Sequence, residues 1–82
     1  MPPSAQVTVR YWAAARAAAG VDADRHAGDT VEEVLAAAVA AHPRLGRVAA
    51  VSTVLLDGRA APRSAPVEDG GTLEVLPPFA GG

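Results

Sequence analysis

The sequence predicts an α+β domain in which one main helix covers one face of a mixed four- to five-stranded sheet. Three observations carry this. Residues alternate between apolar and polar at the start of the chain and again near its end, as half-buried strands do. Thr30-Val31-Glu32-Glu33 is a capping-box pattern that opens an amphipathic helix. Asp57-Gly58 is a hairpin signal placed between two stretches of strand character.

The elements follow in order. From Gln6, Val7, Val9 and Tyr11 fall on one face of a strand, and Thr8, Arg10 and Trp12 on the other. Ala13 to Ala19 are strong helix formers, closed by Gly20, which suits the left-handed position past a helix end. Val21 to Ala27 alternates weakly and reads as a second short strand, with Asp22, Asp24 and His26 on its polar side. The main helix starts at Thr30, carries Val31, Val34, Leu35, Ala38 and Val39 as one apolar stripe, and stops before Pro43. Arg44 to Ala50 reads as a turn or short helix, and Val51 to Leu56 as a buried strand. Pro62 to Pro66 is irregular. Glu68-Asp69-Gly70-Gly71 turns the chain into a last strand, Thr72 to Leu76, with Leu73 and Val75 facing inward. Pro77-Pro78 ends that strand, because proline has no amide hydrogen for the ladder. Residues 1–78 are therefore expected to form one domain and 79–82 a flexible, projecting tail.

Composition narrows the function. A chain of 82 residues has room for one domain and buries only about 60–65% of its unfolded surface, leaving no space for a deep substrate cavity. The net charge is −2, and the 7 basic residues, all arginine, are scattered along the chain. A nucleic-acid surface needs a concentrated positive footprint, so no nucleic-acid partner is expected. No cysteine is present, which excludes a disulfide, a thiolate metal site and a cysteine nucleophile. No stretch has the pattern of a secretory signal or reaches the roughly 18 apolar residues of a membrane span, so a cytoplasmic protein without a membrane partner is expected.

No catalytic constellation stands out. His26 sits on the polar side of a weak strand, and His42 at a helix end, where an imidazolium suits the helix dipole. Neither comes with a nucleophile or a metal-ligand spacing, so no metal is expected. Glu32 and Glu33 are explained by capping, and Asp69-Gly70-Gly71 lacks the residues of a phosphate loop.

The ending is different. With 8 glycines in 82 residues, two successive terminal glycines arise by chance about one time in a hundred. Glycine lets a backbone enter a narrow channel and leaves the carboxylate of Gly82 sterically open. ATP can convert such a carboxylate into an acyl-adenylate, and a sulfur nucleophile can displace AMP to leave a thiocarboxylate, with no side-chain thiol involved.

Val9-Arg10-Tyr11-Trp12 with the following Ala-Arg run to Gly20, then Thr30 to Leu35, Leu56-Asp57-Gly58-Arg59 and Pro77-Pro78-Phe79-Ala80-Gly81-Gly82 together resemble the MoaD/ThiS family of ubiquitin-like sulfur carriers. The opening strand and alanine-rich helix are most similar to the small subunit of molybdopterin synthase. The resemblance implies a ubiquitin-like β-grasp fold and a Gly82 carboxylate that an E1-like adenylating enzyme activates with ATP. It also implies that the carrier itself binds no cofactor and is not catalytic alone. Pro77, Pro78, Phe79, Ala80 and Gly81 would enter the partner's channel. That partner would be the large subunit of molybdopterin synthase, passing sulfur to a pterin precursor, or another sulfur-accepting enzyme. Three positions depart from the family pattern: Trp12 for phenylalanine, Asp57 for asparagine, and Phe79 for a small aliphatic residue.

In a β-grasp the first and last strands are neighbours, so Trp12 and Leu76 are expected to form an exposed apolar patch that docks partners beside the tail. A bulge at the strand end would instead turn Trp12 into core. Other readings share the same ending: sulfur donation for thiamine, cysteine or a secondary metabolite, covalent protein modification, or a non-catalytic β-grasp interaction module.

Overall fold

The computed structural model describes residues 4–78. Its elements are β1 (Ala5–Tyr11), α1 (Ala14–Ala19), β2 (Ala23–Gly28), α2 (Val31–Ala41), α3 (Leu45–Val51), β3 (Thr53–Leu56), β4 (Arg59–Ala60) and β5 (Thr72–Leu76). The strands form one five-stranded sheet in the order β2-β1-β5-β3-β4. Only β1 and β5 run parallel, with Val9 opposite Leu73 and Tyr11 opposite Val75; the other pairs are antiparallel. The first and last strands are thus central neighbours, as the β-grasp expectation requires.

Alternation decides the layers. Val7, Val9, Leu73 and Val75 are fully buried on one face, where they meet Val31, Val34, Leu35 and Ala38 of α2 and Leu45 of α3. Burying a valine or leucine completely is worth about 1.5–3 kcal/mol, so these central positions dominate the stability of so small a core. The irregular segment after β4 is held against α2 by an isolated bridge between Thr30 and Pro66.

Local chemistry sets the ends of each element. Gly20 closes α1 with φ 78°, and its amide donates to the Arg16 carbonyl at 2.8 Å. Thr30 caps α2 by accepting from the Glu33 amide at 3.2 Å. The return arm of the capping box differs from expectation: Glu33 Oε1 accepts from the Asp29 amide at 3.0 Å. Asp57 and Gly58 both take positive φ, 50° and 86°, which matches the right-handed strand twist in a two-residue hairpin. The Asp57 carboxylate also accepts from the Thr72 amide at 2.9 Å, tying that turn to the start of β5.

Two boundaries move. The strand expected at Val51 to Leu56 begins at Thr53, because α3 runs through Val51, which is largely exposed. It is buried on one face only, through Val54. The strand expected at Val21 to Ala27 runs from Ala23 to Gly28, and its facing is reversed. Pairing of Val9 with Asp24 and of Val7 with His26 turns Asp24 and His26 toward the helix layer, while Ala23, Arg25 and Ala27 are exposed. His26 is therefore not on a solvated polar side. On this inward face β2 closely approaches α2: a Cβ on Gly28 would lie 2.8 Å from the Val34 backbone nitrogen and 2.9 Å from its Cγ2.

Gly28→Ala must push α2 off the sheet edge and should cost about 1–3 kcal/mol, read as a lower midpoint of urea unfolding. An unchanged midpoint would contradict this close approach.

Candidate functional site

β5 is flanked on both sides, and its two inward residues are completely buried. The segment that carries the predicted chemistry thus begins from a central strand paired on both edges. Its last ladder pair joins Leu76 to Thr53, after which Pro77 is half-buried and Pro78 exposed. The predicted site residues Phe79, Ala80, Gly81 and Gly82 lie outside the described residues.

Trp12 lies outside the core. It is 39% exposed, and its amide continues the β1–β5 ladder by donating to the Val75 carbonyl at 3.2 Å. This places it alongside half-buried Leu76, on the side of the sheet away from α2. The surroundings are less apolar than the sequence indicates. The indole N–H donates to Glu74 Oε2 at 3.0 Å, and the Arg10 guanidinium lies 5.4 Å from the ring centroid, within cation–π range. Trp12 is thus a partly exposed aromatic with a satisfied polar edge and a cationic neighbour.

A second cluster lies on the helix side of the sheet. Tyr11 is buried in β1 and donates its hydroxyl to Asp24 Oδ1 at 2.7 Å. His26 Nε2 lies 2.8 Å from the same oxygen, and His42 Nε2 lies 2.5 Å from Asp24 Oδ2. The side chains of Asp24, His26 and His42 are 28%, 12% and 19% exposed. Both the Tyr11–His42 and His26–His42 rings meet edge to face. Burial pushes the Tyr11 phenol up, and its bond to Asp24 and the carboxylate charge push it further, so it stays a donor. Burial alone would raise the Asp24 carboxyl, but the hydrogen bonds from Tyr11 and His42, together with His26, outweigh it and hold Asp24 below its ordinary value.

This cluster is what sequence reasoning missed. The i, i+2 spacing of Asp24 and His26 puts them on one strand face, a signal present in the sequence. The register that turns this face inward, and the fold that brings His42 from the C-terminus of α2 onto it, are tertiary facts. Among the described residues no helix is long and apolar enough to cross a membrane.

Known proteins place the chain. The ThiS family model matches residues 9–82. Similar solved structures include small archaeal modifier protein 1 of Haloferax volcanii, 31% identical, covering 94% of this chain and 99% of that one, with a TM-score of 0.84. Another is the Amycolatopsis orientalis BexX/CysO complex, 26% identical over 93% of this chain and 99% of that one, TM-score 0.79. A putative molybdopterin converting factor subunit 1 from Pyrococcus furiosus shares the fold, with a TM-score of 0.82 at 24% identity over 93% of this chain and 100% of that one. No curated protein matches the chain significantly.

Tyr11→Phe removes one donor from the Asp24 carboxylate without opening a cavity. It should cost about 1–2 kcal/mol in denaturant unfolding, in the range of a hydrogen bond to a charged group at a partly exposed site. A loss under a few tenths would mean that water replaces the phenol.

The match across nearly the whole chain and the five-stranded β-grasp sheet agree with the resemblance read from the sequence: the chain belongs to the ThiS family of ubiquitin-like sulfur carriers and modifiers.

Proposed function

We propose that the chain carries sulfur as a thiocarboxylate on Gly82 and delivers it to a pterin precursor held by a larger synthase subunit. The observation that carries this reading is the family match, which runs through Gly82. An E1-like enzyme joins the Gly82 carboxylate to the α-phosphate of ATP, releasing pyrophosphate. Hydrosulfide then attacks the acyl carbon and AMP leaves, so one carboxylate oxygen departs with AMP and sulfur takes its place. ATP and the sulfur source are bound by the activating partner, and the carrier contributes only an accessible acyl group.

The fold suits that role. The tail follows Pro77 and Pro78, which block further ladder pairing next to a buried central strand. Residues 1–78 act as the gripped body, and Phe79, Ala80, Gly81 and Gly82 as the inserted segment. Trp12 and Leu76 supply the docking face, with Phe79 a further anchor. The alanine-rich segment before Gly20 favours the pterin pathway, on resemblance to the molybdopterin synthase small subunit.

A second reading is covalent protein modification through the same adenylate, favoured by the 31% identity to small archaeal modifier protein 1. The two readings differ in whether the activated acyl group takes sulfur or a protein amine.

Incubating the chain with ATP, a sulfur source and host extract should add about 16 Da at the C-terminus, oxygen replaced by sulfur, and a chain lacking Gly82 should not gain it. Large adducts on host proteins, lost with Gly82, would favour the modifier. No gain in an extract that charges a known carrier would remove the carrier reading. Trp12→Ala should fold with nearly unchanged stability yet bind both the activating enzyme and the acceptor at least about tenfold more weakly, since central interface aromatics are commonly hot spots. Wild-type affinity for both would remove Trp12 from the docking face.

A further inference from the structure

We propose that Asp24, His26 and His42 form a binding site for one zinc-class divalent cation, which joins the edge strand β2 to the C-terminal end of α2. This revises the expectation from residue spacing alone that the chain has no metal site, and it stands apart from the chemistry assigned to Gly82.

Two imidazoles and one carboxylate are a ligand set that suits zinc and its neighbours in the first transition series, and three protein ligands leave a fourth position for water or a partner's side chain. One donor atom from each of the three residues lies within 4.8 Å of the other two, a grouping found once among the described residues. Donors around a tetrahedral zinc, at about 2.0–2.1 Å from the ion, stand about 3.3–3.4 Å apart. A contraction of roughly 1.5 Å at most, within the reach of side-chain torsions, would thus bring the three onto one ion. The two imidazole nitrogens that would bind already point at the Asp24 carboxylate. A cation entering there displaces the protons that now bridge nitrogen and oxygen.

The surroundings are those of a supported site. Tyr11 holds Asp24 Oδ1 by a 2.7 Å hydrogen bond, which orients the carboxylate from behind, the arrangement by which outer partners commonly fix metal ligands. His42 is the C-cap of α2 and is followed by Pro43, which restricts its backbone. Asp24 and His26 are fixed by their pairing with Val9 and Val7 in the interior of the β1–β2 ladder. The three side chains are half-buried, so an ion could enter from solvent while losing much of its hydration to protein donors. The chain has no other histidine and no cysteine, so a borderline metal finds no competing imidazole or thiolate.

The test uses the full-length chain without an affinity tag and the metal ions alone. Titration with Co2+ should saturate at one equivalent and develop the visible ligand-field bands of a low-coordinate nitrogen–oxygen site, and Zn2+ should abolish them by displacement. His42→Gln, which keeps a hydrogen-bonding side chain at the C-terminal end of α2, should weaken Zn2+ binding at least about tenfold. Tyr11→Phe, which removes only the positioning hydrogen bond, should weaken it by about 10- to 100-fold. Imidazole resonances of His26 and His42 should shift together in the wild type. Absence of saturable one-equivalent binding by the folded wild-type chain would overturn the proposal. So would binding by His42→Gln as tight as by the wild type.

Discussion

The parallel pairing of β1 with β5 is the constraint on which the rest of the molecule depends. It joins the two ends of the sequence at the centre of the sheet and lines up Val7, Val9, Leu73 and Val75 as the floor on which α2 packs. Parallel neighbours cannot be joined by a tight turn, so everything between Tyr11 and Thr72 serves as the crossover, and that crossover contains the covering helix. Closing so long a loop costs entropy before any contact repays it. The near-complete burial of these valines and leucines is the repayment.

Function follows from the same pairing. Because β5 is held on both edges, the chain beyond Leu76 starts from a fixed point and direction. On the proposed function the protein needs no cavity and no catalytic side chain, since the reactive group would be the backbone carboxylate of Gly82. On the same reading, specificity falls to the body of the domain. The exposed side of β1 and β5 offers Trp12 with its Arg10 and Glu74 neighbours, a surface that combines aromatic area with charge of both signs. Such mixed surfaces favour selection of a partner through complementary charge as well as apolar contact.

Much of this was legible in the sequence. The capping threonine at position 30, the stop before Pro43, the Asp57-Gly58 hairpin and the inward Leu73 and Val75 are local decisions, made by residues within a few positions of one another. The terminal Gly-Gly and the whole-chain resemblance carried the family. What escaped was set by distance in sequence. Asp24 and His26 read as a solvated polar side because a weak strand does not announce which of its faces meets a helix; here the inward face is the one on which Gly28 closely approaches Val34. Inward polar groups on an edge strand also discourage pairing with another chain's edge. Val51 read as strand because its β-branched character is shared with the true strand two residues on, whereas tertiary packing of α3 decided it.

On the proposed function, a rigid body presents an activated Gly82 and takes no other part in the chemistry. The most direct measurement is nuclear magnetic resonance of chain labelled at the Gly82 carbonyl carbon and at all amides, recorded before and after charging by the activating enzyme. A large downfield shift is expected at the Gly82 carbonyl, with the amides of Trp12, Leu73 and Val75 unmoved and equally protected from exchange. An unshifted Gly82 carbonyl in a chain shown by mass to carry sulfur, or loss of protection along β5 on charging, would contradict that function.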